Sequence, residues 1–189
     1  MVAAFEEEVT RIRRDLHRIP EIGYQERKTQ AYIISYLLHL SPDRIEKIAL
    51  TGVKAVFLAP GAQRTTAFRA DIDGLALHEN NPNLEFASTH EGRMHACGHD
   101  GHTATLLTFA RLISENRGQL RENVVLLFQP AEEHIGGAKR MVEEGALEDP
   151  PVDRIFGMHL WPDIPQGHIG FREGPMMAQT CEFDLTIRG

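Results

Sequence analysis

The sequence predicts an α/β fold with a largely parallel mixed sheet flanked by helices. Three observations carry this reading: helical periodicity near the N-terminus, a continuous apolar run from Val124 to Phe128, and strand-like segments alternating with helical ones. Phe5, Val9, Ile12 and Leu16 recur at helical spacing, and Pro20 ends that helix. A second helix is expected over residues 25–40. Strand-like runs follow at 54–59 and 65–70, separated by the turn pair Pro60-Gly61. Residues 80–93 read as irregular and polar. A third helix is expected over 102–114, with Leu106, Leu107, Ala110 and Ile113 on one face. The run from Val124 to Phe128 is the pattern of a strand buried on both faces. A short helix over 138–144, with Gly145 as its C-terminal cap, precedes strands at 154–158 and 168–171.

At the C-terminus, Phe183, Leu185 and Ile187 alternate with Asp184, Thr186 and Arg188. This is a half-exposed strand, and such a strand is not stable alone. The chain is therefore expected to divide into residues 1–178 of a catalytic domain and 179–189 as the first strand of a second domain. It contains no internal repeat and no low-complexity tract.

The 189 residues are 42% hydrophobic and 25% charged, with a formal net charge of −7. Composition of this kind is that of a globular domain. The negative charge argues against nucleic acid or an anionic membrane as a partner, because both select basic patches. The N-terminus is acidic rather than signal-like, no apolar run approaches a membrane span, and two cysteines are too few for a disulfide framework. The expected location is the cytoplasm.

Chemistry collects at the strand ends, where open α/β sheets bind ligands. One strand leads to Asp71 and Asp73, another to Glu132 and Glu133, and a third to His159. A fourth cluster, Met94-His95-Ala96-Cys97-Gly98-His99-Asp100-Gly101-His102, opens the third helix. If the sheet is parallel, these groups meet at one rim. Thiolate, imidazole and carboxylate are the donors that borderline divalent metals take, and zinc, manganese, cobalt and nickel all suit them. Adjacent carboxylates such as Glu132-Glu133 repel unless a cation neutralises them.

Blander readings stand beside each signal. Asp100 could cap a helix with its histidines in solvent. Glu132-Glu133 could be a solvated acidic pair, His159 a core histidine, and Asp71 and Asp73 turn formers. Arg69 in a buried strand calls for a carboxylate partner such as Asp71 or Asp73. Cys181 reads as an inert strand thiol, and His17, His39, His78, His90 and His168 as surface or structural. A cysteine nucleophile at Cys97 is a further reading, without an identifiable third group to orient a partner histidine.

The strings Arg14-Asp15-Leu16-His17-Arg18-Ile19-Pro20-Glu21, Arg69-Ala70-Asp71-Ile72-Asp73, His95-Ala96-Cys97-Gly98-His99-Asp100-Gly101-His102, Gln129-Pro130-Ala131-Glu132-Glu133 and Gly157-Met158-His159 resemble the N-acyl-amino-acid amidohydrolases. That branch holds hippurate hydrolases, aminoacylases, auxin-conjugate hydrolases and N-acetyldiaminopimelate deacetylases, within the wider aminoacylase and zinc carboxypeptidase family. The resemblance implies a zinc-peptidase-like catalytic domain interrupted by a lid that supplies dimer contacts. It implies two divalent metal ions held by Cys97, His99, Glu133 and His159, with one more ligand far downstream of this chain. Glu132 would be the general base, and Asp71, Asp100 and His102 would orient the ligands. The substrate would be an N-acyl-amino acid, and N-acetyldiaminopimelate is suggested by the segments 19–24 and 28–33. The sequence departs from the family at Gly74 and Ala76, where Ala and Pro are usual, and at His134-Ile135, where Gly is favoured after Glu133. A non-catalytic, metal-binding remnant of the family is the alternative that the sequence leaves open.

Overall fold

β4 (Asn123–Gln129), whose side chains alternate between two buried faces, organises the molecule. In the computed structural model, which describes residues 2–81, 83–133, 136–176, 183 and 185–188, this strand lies at the centre of a five-stranded sheet ordered β1-β2-β4-β3-β5. Val124, Leu126 and Phe128 point into a core shared with Ile12 and Leu16 of α1 (Val2–His17), Ile33 and Leu37 of α2 (Arg27–Leu38) and Leu107 of α3 (His99–Glu115). Val125 and Leu127 point to the other face, where they meet Met141 of α4 (Gly137–Glu143) and Ala146. A strand covered on both sides has no polar face to show, which is why its sequence reads as an unbroken apolar run.

The strands beside β4 run in different directions. β3 (Thr65–Asp71) pairs in parallel with β4, from Thr65 opposite Asn123 to Asp71 opposite Gln129. β5 (Arg154–Gly157) adds in parallel to the far side of β3, with Arg69 opposite Gly157. The other half is antiparallel: β2 (Gly52–Phe57) pairs with β4, and β1 (Arg44–Ile48) pairs with β2. The mixed sheet flanked by helices is as expected, with its parallel part confined to β4-β3-β5. The carboxyl ends of those three strands therefore open on one rim, and α3 begins there.

The strands depart from expectation in two places: β1, where the sequence predicts no strand, and residues 168–171. β1 carries no alternating signal, since Arg44, Glu46 and Lys47 break it, and its turn uses Ala49 and Leu50 at positive φ (49° and 68°) without a glycine. Residues 168–171 make no strand; Ile169 and Phe171 are about nine-tenths exposed and pair with no strand among the described residues. The third helix starts at His99 rather than His102, because Gly98 adopts the left-handed conformation (φ 82°) that turns the chain into it. Of the expected C-terminal strand, 179–182 and Asp184 lie outside the described residues, and 183 and 185–188 form no ladder. No helix among the described residues is long and apolar enough to cross a membrane.

Candidate metal centre

The rim brings the strand-end groups together. One donor atom each from Cys97, His99 and His159 lies within 4.8 Å of the others, and the same holds for His99, Glu132 and Glu133 and for Asp71, His99 and His102. His99 belongs to all three sets. It is the first residue of α3 and is 1% exposed. Its Nδ1 donates to the Asp73 carbonyl at 2.9 Å and faces Asp73 Oδ1 at 3.2 Å. With the proton on Nδ1, the lone pair of Nε2 faces the rim. Nε2 is buried with no hydrogen-bond partner among the described residues, 3.7 Å from Glu133 Oε1, which is likewise buried and unpartnered. Buried polar atoms are rarely left without a partner. Two such atoms facing each other, one imidazole and one carboxylate, fit a bound cation.

The electrostatics agree. Burial alone would lower the His99 pKa, but the hydrogen bond to Asp73 and the charges of Asp71 and Asp73 outweigh it and raise it. The Cys97 thiol is pushed up to about 12 by burial and by the nearby Glu133 and Glu132. Glu132 is also raised, by burial and then by the charge of Glu133. This concentration of negative potential attracts a cation, and coordination reverses its effect on the thiol by taking the thiolate as a ligand.

Asp71 and Asp73 leave β3 towards opposite tasks. Asp71 accepts from His102 Nδ1 at 2.6 Å and from Arg69 Nη1 at 2.8 Å. Burial works against its charge, yet His102, His99 and Arg69 hold its pKa down at about 2. Arg69 also donates to Gln129 Oε1 on β4, so the part-buried arginine has the carboxylate partner its position in a strand calls for. His102 Nε2 accepts the Leu160 amide at 2.9 Å. Both ring nitrogens of His102 are thus engaged, which leaves it no lone pair for a metal and makes it a tie to the segment that carries His159. Asp73 was not singled out as a ligand support by the sequence; it fixes His99 and accepts the Glu133 amide at 3.0 Å.

Asp100 turns away from these donors. It accepts from His17 Nδ1 at 2.7 Å and pairs with Arg13, fastening the first turn of α3 to α1. His17 is therefore buried structure, also bonded to Glu79. Its partners lie far away in sequence, so spacing could not reveal them. His159 is exposed, with Nδ1 on the Leu160 carbonyl at 2.7 Å and Nε2 at 3.8 Å from Cys97 Sγ. His134, Ile135 and Cys181 lie outside the described residues.

Fold and rim together define an α/β domain with a cluster of metal-binding donors at the carboxyl ends of its parallel strands. The chain belongs to the peptidase family M20/M25/M40, whose model matches residues 67–189. It is 44% identical to an N-acetyldiaminopimelate deacetylase of Bacillus cytotoxicus, over 94% of this chain and 47% of that enzyme. It is 42% identical to an N-acetylcysteine deacetylase of Bacillus subtilis, over 98% of this chain and 48% of that enzyme. The crystal structure of the Bacillus subtilis YXEP protein, described as a dinuclear metal-binding peptidase, superimposes with a TM-score of 0.85 at 42% identity, covering 92% of this chain and 48% of that one. The chain thus spans about half the length of the relatives it matches.

Proposed function

We propose that this chain is the metal-binding part of an amidohydrolase that removes the acetyl group from N-acetyl-amino acids. The observation that carries the proposal is the buried, unpartnered Nε2 of His99, locked as a lone-pair donor by Asp73 and facing Glu133. The two named deacetylase relatives and the dinuclear relative support the same chemistry. Cys97, His99, Glu133 and His159 would hold two divalent cations, which when bound would lower the pKa of water towards neutrality and supply positive charge to the oxyanion of the attacked amide. Zinc, manganese, cobalt and nickel all suit the donor set.

Glu132 takes the proton of the attacking water and delivers it to the leaving amine. It is the less buried of the two adjacent carboxylates, and its pKa is raised by burial and by Glu133, which brings a carboxylate closer to the range useful to a general base. Asp73, Asp71 and His102 hold the donors in place. N-acetyldiaminopimelate is the first substrate to try, with N-acetylcysteine beside it. In the full-length protein, Glu132→Gln should retain its metal and lose about 10²–10⁴-fold in kcat. Normal turnover in that variant would refute the assignment of Glu132.

A further inference from the structure

Among the carboxylates buried outside the donor cluster, one reaches the turn that carries Glu132. Glu26, just before α2, is 0% exposed. Its Oε2 accepts from Thr51 Oγ1 in the turn between β1 and β2. Its Oε1 accepts the amide of Ala131 at 2.8 Å, across 105 residues of sequence. Burying a carboxylate is costly unless its hydrogen bonds are specific, so the arrangement needs a reason.

The reason lies in what Ala131 does. It sits between Pro130 and Glu132 with φ at 50°, a left-handed conformation that non-glycine residues seldom adopt and that surrounding structure must enforce. The turn is gripped from several sides. A Cβ at Gly137 would meet the Pro130 carbonyl oxygen at 1.8 Å, and one at Gly52 would meet Pro130 Cδ at 2.8 Å, so both positions need glycine for close approach. Beyond the turn, the Glu133 amide is held by Asp73 Oδ2. Glu132 is thus bracketed by two amides, at Ala131 and Glu133, each bonded to a different buried carboxylate.

We propose that Glu26 is a positioning residue for the reaction: through the Ala131 amide it enforces the strained turn that aims Glu132 at the rim. This rests on the reading of Glu132 as general base. The Glu26 carboxylate bonds Thr51 and the Ala131 amide rather than any of the donors, and it acts on Glu132 through the backbone. Its neutral isostere can do the same work, because a glutamine oxygen can accept the Ala131 amide while its NH2 donates to the Thr51 hydroxyl. Aspartate, one methylene shorter, cannot reach both partners from the same backbone.

The test uses the full-length, metal-loaded protein with Glu26→Gln, Glu26→Asp and Glu26→Ala beside Glu132→Gln. It measures kcat per bound metal, KM, metal content and hydrogen exchange across residues 129–133. Glu26→Gln should keep kcat within about threefold, while Asp and Ala lose about ten- to a hundredfold, the scale of a misplacement near 1 Å. KM and metal content should hold, and exchange in the turn should quicken in Asp and Ala alone. Full kcat per metal in Glu26→Asp, with only reduced thermal stability, would overturn the proposal. Gln losing as much as Asp would also overturn it, by showing that charge rather than hydrogen bonding matters. If Glu26→Ala fails to fold, the contrast between Gln and Asp decides. Normal turnover in Glu132→Gln would instead sink the general-base reading, leaving the exchange pattern to report on the turn separately.

Discussion

His99 and His159 stand at the same rim and are held in opposite ways. His99 begins a 17-residue helix, is buried, and has Nδ1 fixed by Asp73, which Glu133 also engages. His159 follows a four-residue edge strand whose residues are all exposed, and its ring reaches the carbonyl of the next residue and, at 3.8 Å, the Cys97 sulfur. Its other restraint is indirect, through the Leu160 amide on His102 and from there to Asp71. The difference shows how the site is built. One side is a preorganised buried network, and the other is an exposed donor whose backbone is tied to that network through His102.

The largest effect should come from breaking the network at its centre. Asp71→Ala leaves His102 Nδ1 and the part-buried Arg69 without their carboxylate, at a cost of roughly 3–5 kcal/mol in denaturant unfolding. A loss below ~1 kcal/mol would mean that the network is not what stabilises this side. Next, Asp73→Ala should weaken metal binding by about 10–100-fold, the scale for a residue that orients a ligand. His102→Gln, which can still accept the Leu160 amide, should weaken it less than His102→Ala in the same titration, and equal losses would detach His159 from the network.

The smallest expected effect is on pH dependence. Burial raises the pKa of Glu26 in the folded protein. The folded state therefore binds its proton more tightly than the unfolded chain does, and this contribution to stability is lost as pH rises from the unfolded value near ~4.3 through the folded one. Glu26→Gln removes that titration. Its stability relative to the parent should improve across that interval and then level off, as urea unfolding at several pH values would show. A relative stability that falls with rising pH would contradict it.

The parts of this design that were legible in the sequence are those with a local or periodic signature. β4 announces itself because burial on both faces leaves no polar position. The strand-end carboxylates and the dense loop from His95 to His102 can be read because parallel strands deliver their ends to one rim. β1 was hidden because it lies at the sheet edge with charges on it and turns without glycine. The roles of Asp73, His17 and Glu26 were hidden because each depends on a partner distant in sequence: His17 meets Asp100 and Glu26 meets Ala131 only after the sheet has formed. Nor does spacing show which way a carboxylate points, so Asp71 and Asp100 looked alike although one supports the rim and the other faces α1.

The most direct test of the rim as a two-cation centre is a cobalt(II) titration of the metal-free full-length protein, followed by visible absorption, with Cys97→Ser alongside. Two bound ions per chain are expected, with a thiolate-to-cobalt charge-transfer band that Cys97→Ser abolishes. A folded protein that binds no cobalt, or a band that survives in Cys97→Ser, would contradict it.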